Sequence, residues 1–475
     1  MRSFTFFRFL TLPIALAVGL TPLVASAAPR AQPTDTATRI DNYIRGQVPN
    51  LRVPGFSLVV VEGDQVLLSR GYGFADREAG TPMTADTPVQ IASANKGMVA
   101  MGLMQLVEQG RVDLDAPVVH YLPDFSMNDE RAMDITVRQV LSHTSGIPAS
   151  IARDEVRDDQ MVNREVASLA NVQLHFAPGT GYEYANDGYS VALLILQTVS
   201  GMSYDEYIGT QIFEPLRMAR STFDVSVANE WGLTTSYAKR SGAISPGPMA
   251  LYPAGGILTT AGDVGHYFVA LLNDGSYEGT QVISPSSIAQ MWTPEPASGA
   301  EAYGFGWGEM NVAGIRLLSH AGDIGAAGPF GSSGSQFLVF PERKIAIGVL
   351  ANMSSLEKAD IAEDTLAIML GGEPPARPVL PDWRQSSFTP NRDAWATIVG
   401  DYHTSDGTLR VYRDGDKLLG SVAGVSLEFV PQSDTSFMML SSDLSALDEV
   451  PAEFQPQADG SVILGFQGRP FAVKK

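Results

Sequence analysis

The chain has 475 residues, of which 44% are hydrophobic, and it carries 52 acidic against 32 basic side chains, a formal charge of −20. A chain of this length exceeds what one hydrophobic core usually supports and predicts two or three domains. The negative charge argues against a nucleic-acid partner, because a polyanion would be repelled. The sequence contains no cysteine, so its cores must stabilise it without disulfides.

The first 27 residues have the pattern of a secretory signal peptide. Arg2 and Arg8 give a basic start, residues 9–24 are mostly apolar, and small residues at 25–27 form a cleavage site. An uncleaved membrane anchor is the alternative, but threonine and proline interrupt the apolar stretch. No later run is long enough to span a bilayer. We therefore expect an exported protein, periplasmic or secreted, without a stable membrane anchor.

Ser93 and Lys96 stand three residues apart where an apolar stretch with helical spacing, residues 97–106, begins. Residues at i and i+3 share a helix face, so the hydroxyl and the amine are expected to be neighbours. A lysine desolvated by apolar walls can take the serine proton and make the hydroxyl a nucleophile. S-x-x-K is a known nucleophile motif, although a single match also fits a helix N-cap followed by a solvent-exposed lysine.

Two further polar motifs follow along the chain. A turn-rich loop, residues 178–189, contains the Y-x-N triplet 184–186 and leads into a predicted helix. Residues 315–319 predict a short strand, and the H-x-G triplet 320–322 and a second strand at 336–340 come after it. Three motifs in the order S-x-x-K, Y-x-N and H-x-G form a much stronger signal than any one of them.

These motifs resemble those of the serine β-lactamase and penicillin-binding-protein superfamily, in the branch of class C β-lactamases, D-alanyl-D-alanine carboxypeptidases, D-aminopeptidases and related esterases. Segments 53–61, 135–148 and 253–260 also look like signature segments of that family, and the resemblance covers residues 38–370. It implies an α/β (α+β) domain over residues 28–371, with an antiparallel sheet flanked by helices and a helical subdomain.

The resemblance and the side-chain chemistry together imply roles for the motif residues. Ser93 attacks a carbonyl and forms an acyl-enzyme, while Lys96 and Tyr184 share the removal of its proton and the return of that proton to the leaving group. Because these two groups titrate together, the sequence leaves open which of them is formally the base. Asn186 is expected to hydrogen-bond the substrate amide and to hold Lys96 in place.

The oxyanion hole is implied by the same resemblance. Its donors would be the backbone N–H groups of Ser93 and Asp323, which cost no reorganisation during the reaction. Gly322 is expected to leave space for the substrate, because a side chain there would crowd the substrate strand.

The third motif departs from the Lys-Thr-Gly of many β-lactamases. His320 is expected to be largely neutral near pH 7, and Ala321 lacks a hydroxyl that could bond a carboxylate. The acidic side chain of Asp323 is expected to repel an anionic ligand. The predicted function is therefore a peptidase of the D-amino-acid peptide or carboxypeptidase type, or an esterase. A class C-like β-lactamase is the alternative, and a penicillin-binding protein without turnover is the second alternative.

The chain divides after a predicted closing helix at 358–370. Five prolines in residues 372–391 predict a linker. Beyond it, residues 392–475 contain short alternating segments that predict an antiparallel barrel or sandwich, similar to the lipocalin-like C-terminal domain of several family members. The predicted strands are 395–402, 408–413, 417–422, 425–430, 436–440, 452–455, 462–466 and 470–473. A stabilising appendage and a role in capping the cleft or joining subunits stay equally open.

The remaining polar residues predict no metal and no organic cofactor. The sequence has no H-E-x-x-H motif and no cysteine cluster. His143 is interpreted as structural rather than as a second base, and Tyr182 and Tyr189 as packing residues, with lining of the cleft as the alternative. Gly97 admits either a bulky substrate or a close helix contact. The expected partner is a small-molecule or peptide substrate, namely a peptidoglycan-type peptide, a β-lactam or an ester; the oligomeric state stays open.

Overall fold

A computed structural model of the chain describes residues 33–149, 160–238, 242–244, 252–312, 315–324, 333–375, 388–404, 407–422, 425–441, 450–466 and 469–474. The expected signal peptide, residues 1–27, lies outside the described residues, and so do residues 376–387 of the expected linker. In the parts of the chain that are described, no helix combines the length and the apolar character needed to cross a membrane.

The elements are numbered here in chain order. The α-helices are α1 Pro33–Gln47, α2 Lys96–Glu108, α3 Val118–Tyr121, α4 Val137–Leu141, α5 Met161–Ser168, α6 Asn186–Ser200, α7 Tyr204–Ile208, α8 Val225–Glu230, α9 Tyr252–Gly255, α10 Ala261–Leu272, α11 Pro285–Met291 and α12 Glu357–Met369. The strands of the first domain are β1 Gly55–Glu62, β2 Gln65–Asp76, β3 Thr81–Pro82, β4 Val89–Gln90, β5 Ser236–Ala238, β6 Gly242–Ile244, β7 Leu258–Thr259, β8 Ser276–Tyr277, β9 Thr280–Gln281, β10 Gly308–Val312, β11 Ile315–Ile324, β12 Ser333–Phe340 and β13 Ile345–Ala351.

A seven-stranded antiparallel sheet in the order β10-β11-β12-β13-β1-β2-β3 forms the centre of the first domain. The apolar run of β1 serves both faces, because successive side chains of a strand point to opposite sides. Val59 and Val61 join a core with α10, whereas Leu58 and Val60 join a second core with α1 and α12. The α/β class expected from the sequence is confirmed.

The helical part of this domain packs around α2 and α6. α2 is buried from Lys96 to Leu106, which fits a helix that is apolar on nearly every side. The helix expected after the Y-x-N triplet is present but starts earlier, since α6 begins at Asn186, the last residue of the triplet. The last residue of the second motif is therefore held by a helix and not by a loop.

The C-terminal domain is a closed antiparallel barrel of eight strands. They are β14 Gly400–Thr404, β15 Gly407–Asp414, β16 Lys417–Val422, β17 Val425–Pro431, β18 Ser436–Ser441, β19 Val450–Pro456, β20 Val462–Phe466 and β21 Arg469–Lys474. Large apolar side chains fill its interior, among them Tyr402, Phe429, Phe437 and Phe454. The barrel expected from the alternating pattern is confirmed.

The first expected strand of the barrel, 395–402, is wrong in its first half. A 3₁₀ turn at Ala394–Thr397 precedes β14. Trp395 is 1% exposed and belongs to the barrel core, with its ring centroid 6.4 Å from that of Phe437. The turn thus buries its apolar residues in the barrel core, so an apolar segment at this position does not have to be a strand.

The two domains meet at the amino-terminal end of α12. Leu356, the residue before this helix, packs against the barrel core, and the Arg52 guanidinium donates to Met438 Sδ at 3.8 Å. The buried carboxylate of Glu357 accepts the backbone N–H groups of Arg52 and Val53, each at 3.0 Å. The start of α12 therefore anchors both the barrel and the chain that leads into β1.

Candidate active site

Ser93 lies in a 3₁₀ turn, Ala92–Asn95, that runs directly into α2. All four residues of the turn are buried, and Ser93 is 6% exposed. Ala92 has φ of 51°, a left-handed conformation that a residue with a side chain rarely adopts. The serine therefore lies in a strained turn before the α-helix and not within the helix itself.

Lys96, the first residue of α2, is completely buried, and its ammonium group has three oxygen partners. Nζ lies 3.0 Å from Ser93 Oγ, 2.9 Å from Asn186 Oδ1 and 3.0 Å from the Ala254 carbonyl oxygen. In the described part of the chain no carboxylate forms an ion pair with it. Burial lowers the pKa of Lys96 well below its usual value, because the charged form loses its hydration.

The three contacts match the needs of a neutral amine. A neutral amine has two N–H donors and one lone pair, while Asn186 Oδ1 and the Ala254 carbonyl are acceptors only. In the neutral form of the amine, these two oxygens can take both N–H groups, which leaves the lone pair for the Ser93 hydroxyl across the 3.0 Å contact. The arrangement holds the amine in the orientation that a general base for Ser93 requires.

The ring of Tyr184 lies next to the Lys96 side chain. The Lys96 Nζ is 4.9 Å from the centroid of the Tyr184 ring. Burial raises the pKa of Tyr184, while its hydrogen bond with Ser93 acts in the opposite direction. The structure thus brings Ser93, Lys96, Tyr184 and Asn186 into one cluster, as the three-motif pattern predicted for its first two motifs.

The two tyrosines that flank the second motif differ in burial. Tyr189 is 0% exposed, and its hydroxyl donates to the Leu141 carbonyl at 2.9 Å. Its ring lies 5.3 Å below Lys96 Nζ, so it packs under the site and does not line the cleft. Tyr182 is half-buried and its ring faces that of Tyr303, with 5.9 Å between the centroids.

His320 is buried in β11 and both of its ring nitrogens have partners. Nδ1 is 2.8 Å from the Ala321 carbonyl, which only accepts, so Nδ1 carries the proton and Nε2 accepts from the Tyr303 hydroxyl at 2.9 Å. Burial, and then the nearby Lys96, lower the pKa of His320 to about 3. A neutral His320 was expected, but its partner Tyr303 was not predicted from the sequence.

Gly322 lies where β11 passes the Ser93 turn. A Cβ atom at this position would overlap the Ile91 carbonyl oxygen and approach the Cβ of Ala92 at 3.2 Å. The Ser335 hydroxyl, on the neighbouring strand, donates to the same Ile91 carbonyl at 2.6 Å. Only glycine allows the third motif to lie this close to the turn that carries the serine.

The expectation that the Asp323 side chain repels an anionic ligand is wrong. Its carboxylate is 6% exposed and lies 2.7 Å from the ammonium of Lys358 in α12, so its charge is neutralised by a buried partner. Alternation along β11 is the physical reason, because Gly322 faces the Ser93 turn and the next side chain points to the other face of the sheet. The backbone of Asp323 stays on β11, next to Gly322.

His143 has the contacts of a packed residue. It is 1% exposed, its Nδ1 accepts the backbone N–H of Ala185 at 3.1 Å, and its ring lies 4.2 Å from that of Tyr184. Burial lowers the pKa of His143 well below its usual value, so the ring is neutral. These contacts agree with the interpretation of His143 as a structural residue, since its ring packs against that of Tyr184.

Gly97 makes a close contact and does not open a substrate pocket. A Cβ atom here would lie 2.9 Å from both Trp307 Nε1 and Tyr267 Oη. The backbone at Gly306 approaches just as closely, since a Cβ on that residue would lie 2.6 Å from the Gly97 nitrogen. Of the two alternatives left open by the sequence, the described structure favours the tight contact with α2.

Sequence reasoning missed three partners of the site: the Ala254 carbonyl, Tyr303 and Lys358. Ala254 lies in segment 253–260, which the sequence marked as a family-like segment without a role for its carbonyl. Neither of the other two belongs to a motif, and each contacts the third motif only through tertiary packing. In the described residues no group of three or more His, Asp or Glu side chains is arranged to hold a metal ion.

Residues 40–370 match the family described as Beta-lactamase. Protein flp of Staphylococcus aureus (strain N315) is 27% identical over 328 residues, which cover 68% of this chain and 64% of that protein. The chain thus spans less than two thirds of the length of this relative. Penicillin-binding protein 4 of Amycolatopsis lactamdurans is 32% identical over 317 residues, which cover 63% of this chain and 81% of that protein.

Solved structures show the same two-domain fold. The octameric penicillin-binding protein homologue from Pyrococcus abyssi has a TM-score of 0.63 and 25% identity, over 92% of this chain and 99% of that one. SurE with D-Leu has a TM-score of 0.61 at 22% identity, over 92% and 99% of the two chains, which shows a shared fold. Because the family match extends over more than half of the residues, this chain belongs to the beta-lactamase family of serine hydrolases.

Proposed function

We propose that the protein is an exported serine hydrolase that cleaves an amide or ester bond through an acyl-enzyme on Ser93. The observation that carries this proposal is the buried Lys96 amine, whose Nζ lies 3.0 Å from Ser93 Oγ and whose pKa burial lowers well below its usual value. A neutral amine next to a hydroxyl is what a serine needs in order to become a nucleophile. Export rests on the leader pattern of residues 1–27.

The acylation step follows from these contacts. Ser93 Oγ forms a bond to the substrate carbonyl carbon while its proton moves to Lys96 Nζ, with Tyr184 as the second group of the proton path. The resulting oxyanion is bound by the backbone N–H groups of Ser93 and Asp323, and the loss of one such donor typically costs about 10²- to 10³-fold in kcat. The leaving group departs as an amine or alcohol with the proton, and water then hydrolyses the acyl-enzyme.

The substrate we propose is a D-amino-acid peptide or an ester. His320 is neutral because its pKa is lowered to about 3, and Ala321 has no hydroxyl, so these two positions offer neither a charge nor a hydroxyl to a substrate carboxylate. The Lys358 ammonium is paired with Asp323 on the other face of the sheet. Substrates that need a cation at the third motif, as many β-lactams do, are therefore disfavoured. β-Lactam hydrolysis and penicillin binding without turnover remain the alternatives, and the likeness to a penicillin-binding protein supports the latter.

The test is the intact mass of the mature protein over time with benzylpenicillin, compared with Ser93→Ala. A long-lived adduct that requires Ser93 establishes the nucleophile and a penicillin-binding protein, whereas a short-lived one with loss of the drug indicates a β-lactamase. Without an adduct, D-alanine 4-nitroanilide and 4-nitrophenyl acetate are the next probes. Hydrolysis of either probe at equal rates by the parent and by Ser93→Ala would refute the acyl-enzyme.

A further inference from the structure

The ion pair of Asp323 and Lys358 is a buried charged pair that the proposed chemistry does not use directly. The side chains are 6% and 2% exposed, and the ammonium lies 2.7 and 2.8 Å from the two carboxylate oxygens. Taking two charges out of water is costly, and an exposed pair on a surface would add little. A buried pair at the end of a catalytic strand therefore calls for a reason beyond stability.

Both partners are completely satisfied by neighbours at the start of α12. The third acceptor of Lys358 Nζ is the Ser355 carbonyl at 2.9 Å, and the Ser354 hydroxyl donates to Asp323 Oδ1 at 2.6 Å. An ammonium has three N–H donors, so the lysine has none left over. The carboxylate is thus held in one orientation by two side chains and not by a single flexible contact.

A glycine gives the lysine its path across the sheet. Gly334 on β12 is the register partner of Asp323 on β11. A Cβ atom on Gly334 would lie 2.9 Å from Lys358 Cδ and 3.2 Å from Cε. The lysine stem therefore crosses the sheet over the residue that stands opposite Asp323, and any larger residue there would push it away.

The Asp323–Lys358 pair lies on the part of β11 that no longer pairs with β10. β10 pairs with β11 only as far as Ser319, so in the described residues the stretch from His320 to Ile324 is bonded to β12 alone. Asp323 is partly exposed as a residue although its side chain is buried, so its exposed surface is mainly backbone. The side chain is anchored on one face of the sheet, while the backbone continues the segment that approaches the Ser93 turn at Gly322.

We propose that Lys358 is a positioning residue for the hydrolase reaction, acting through the Asp323 carboxylate to hold the backbone N–H of Asp323 as an oxyanion donor. The inference rests on the proposed function, since it needs an oxyanion formed by Ser93. The lysine itself does not touch the substrate. It fixes the half of β11 that pairs with β12 but not with β10, where Gly322 approaches the Ser93 turn.

The test compares Lys358→Met, Asp323→Asn and the double variant with the parent protein. Each is assayed for hydrolysis of 4-nitrophenyl acetate, for affinity for phenylboronic acid, which forms a tetrahedral adduct on an active serine, and for thermal unfolding. We expect Lys358→Met to lose about 10- to 100-fold in kcat with little change in KM, and to lose boronate affinity by a similar factor, because a displaced donor acts only on tetrahedral species.

The double variant separates positioning from simple charge balance. It removes both charges, so we expect its melting temperature to return toward that of the parent while its kcat stays as low as that of Lys358→Met. Recovery of kcat together with stability would overturn the inference, and so would an unchanged kcat in all three variants. Lys417→Met, which breaks the exposed pair with Glu428 on the barrel, is the matched control and is expected to match the parent.

A different experimental result would contradict the proposed function. If the parent hydrolyses 4-nitrophenyl acetate no faster than Ser93→Ala and does not bind phenylboronic acid, the acyl-enzyme is wrong and the inference falls with it. If the parent shows Ser93-dependent hydrolysis and the Lys358 variants retain it, only the role of Lys358 is wrong.

Discussion

Two buried lysines lie on opposite sides of β11, and their partners differ. Among the described residues, the hydrogen-bond partners of Lys96, at 0% exposure, are the uncharged oxygens of Ser93, Asn186 and Ala254. Lys358, at 2% exposure, forms an ion pair with the carboxylate of Asp323. Burial lowers the pKa of Lys96 because the charged form loses its hydration, whereas Lys358 has an opposite charge beside it.

The difference shows how one residue type serves two purposes within one domain. The amine without a charged partner is suited to take a proton from a hydroxyl, because burial lowers its pKa and so favours its neutral form. The amine with a charged partner is suited to hold a strand in place. The neighbouring acceptor, and not the depth of burial, separates the two.

Removal of Lys96 should have the largest effect on activity. Lys96→Ala leaves Ser93 without its base, and we expect kcat to fall by about 10³-fold, near the middle of the range for general-base catalysis. The measurement is Ser93-dependent hydrolysis of 4-nitrophenyl acetate, or acylation by benzylpenicillin if that drug forms an adduct. A rate within tenfold of the parent would show that Lys96 is not the base, and the proposed difference in role between Lys96 and Lys358 would then be wrong.

The free energy of unfolding should show the reverse order, with a larger loss on replacing Lys358 than on replacing Lys96. Lys358→Met leaves the Asp323 carboxylate buried and unpaired, which typically costs about 3 to 5 kcal/mol. Lys96→Met removes the hydrogen bonds of the amine to Asn186 Oδ1 and to the Ala254 carbonyl but leaves no orphaned charge, and we expect a smaller loss of about 1 to 2 kcal/mol. Urea unfolding of the two variants, followed by a probe of the first domain, measures the difference. Equal losses would mean that the ion pair of Lys358 with Asp323 stabilises the fold no more than the hydrogen bonds of Lys96 do.

The pH dependence of activity should report Lys96 and not histidine. The base must be neutral, and burial lowers the pKa of Lys96, so kcat/KM should already be high below the ordinary pKa of a lysine and should fall as pH decreases through the lowered pKa. His320 titrates at about 3, so it adds no inflection near pH 6.5. The profile of Ser93-dependent hydrolysis from about pH 4 to 10 checks this. Activity that rises only toward pH 10 would show that Lys96 keeps its ordinary pKa.

The smallest expected effect concerns the helix that carries the lysine. In Gly97→Ala the new methyl group would meet Trp307 Nε1 and Tyr267 Oη at 2.9 Å, and overpacking of this kind costs about 1 to 3 kcal/mol. The better helix propensity of alanine returns about 1 kcal/mol. We therefore expect a net loss of about 1 kcal/mol or slightly more in urea unfolding, with lower kcat because α2 shifts. A stabilised variant with full activity would show that α2 tolerates the extra volume.

Local pattern was sufficient for much of the fold. The spacing of Ser93 and Lys96 before an apolar stretch predicted their contact, because residues three apart share a helix face. The alternating segments after residue 391 predicted the barrel, because a period of two is typical of strands. The segment at 395–402 was misjudged because a buried tryptophan in a turn has the same composition as one in a strand.

By itself, the sequence determined the S-x-x-K motif, the order of the three motifs and the division into two domains, since each is recognised from short segments of the chain. Tertiary structure alone decided that the Ala254 carbonyl contacts Lys96, that Tyr303 contacts His320, and that the charge of Asp323 is neutralised by Lys358. The partners in the last pair are 35 residues apart. The physical reason is that hydrogen bonds and ion pairs depend on distance in space, and only the packing of α12 and β12 against β11 brings those groups together.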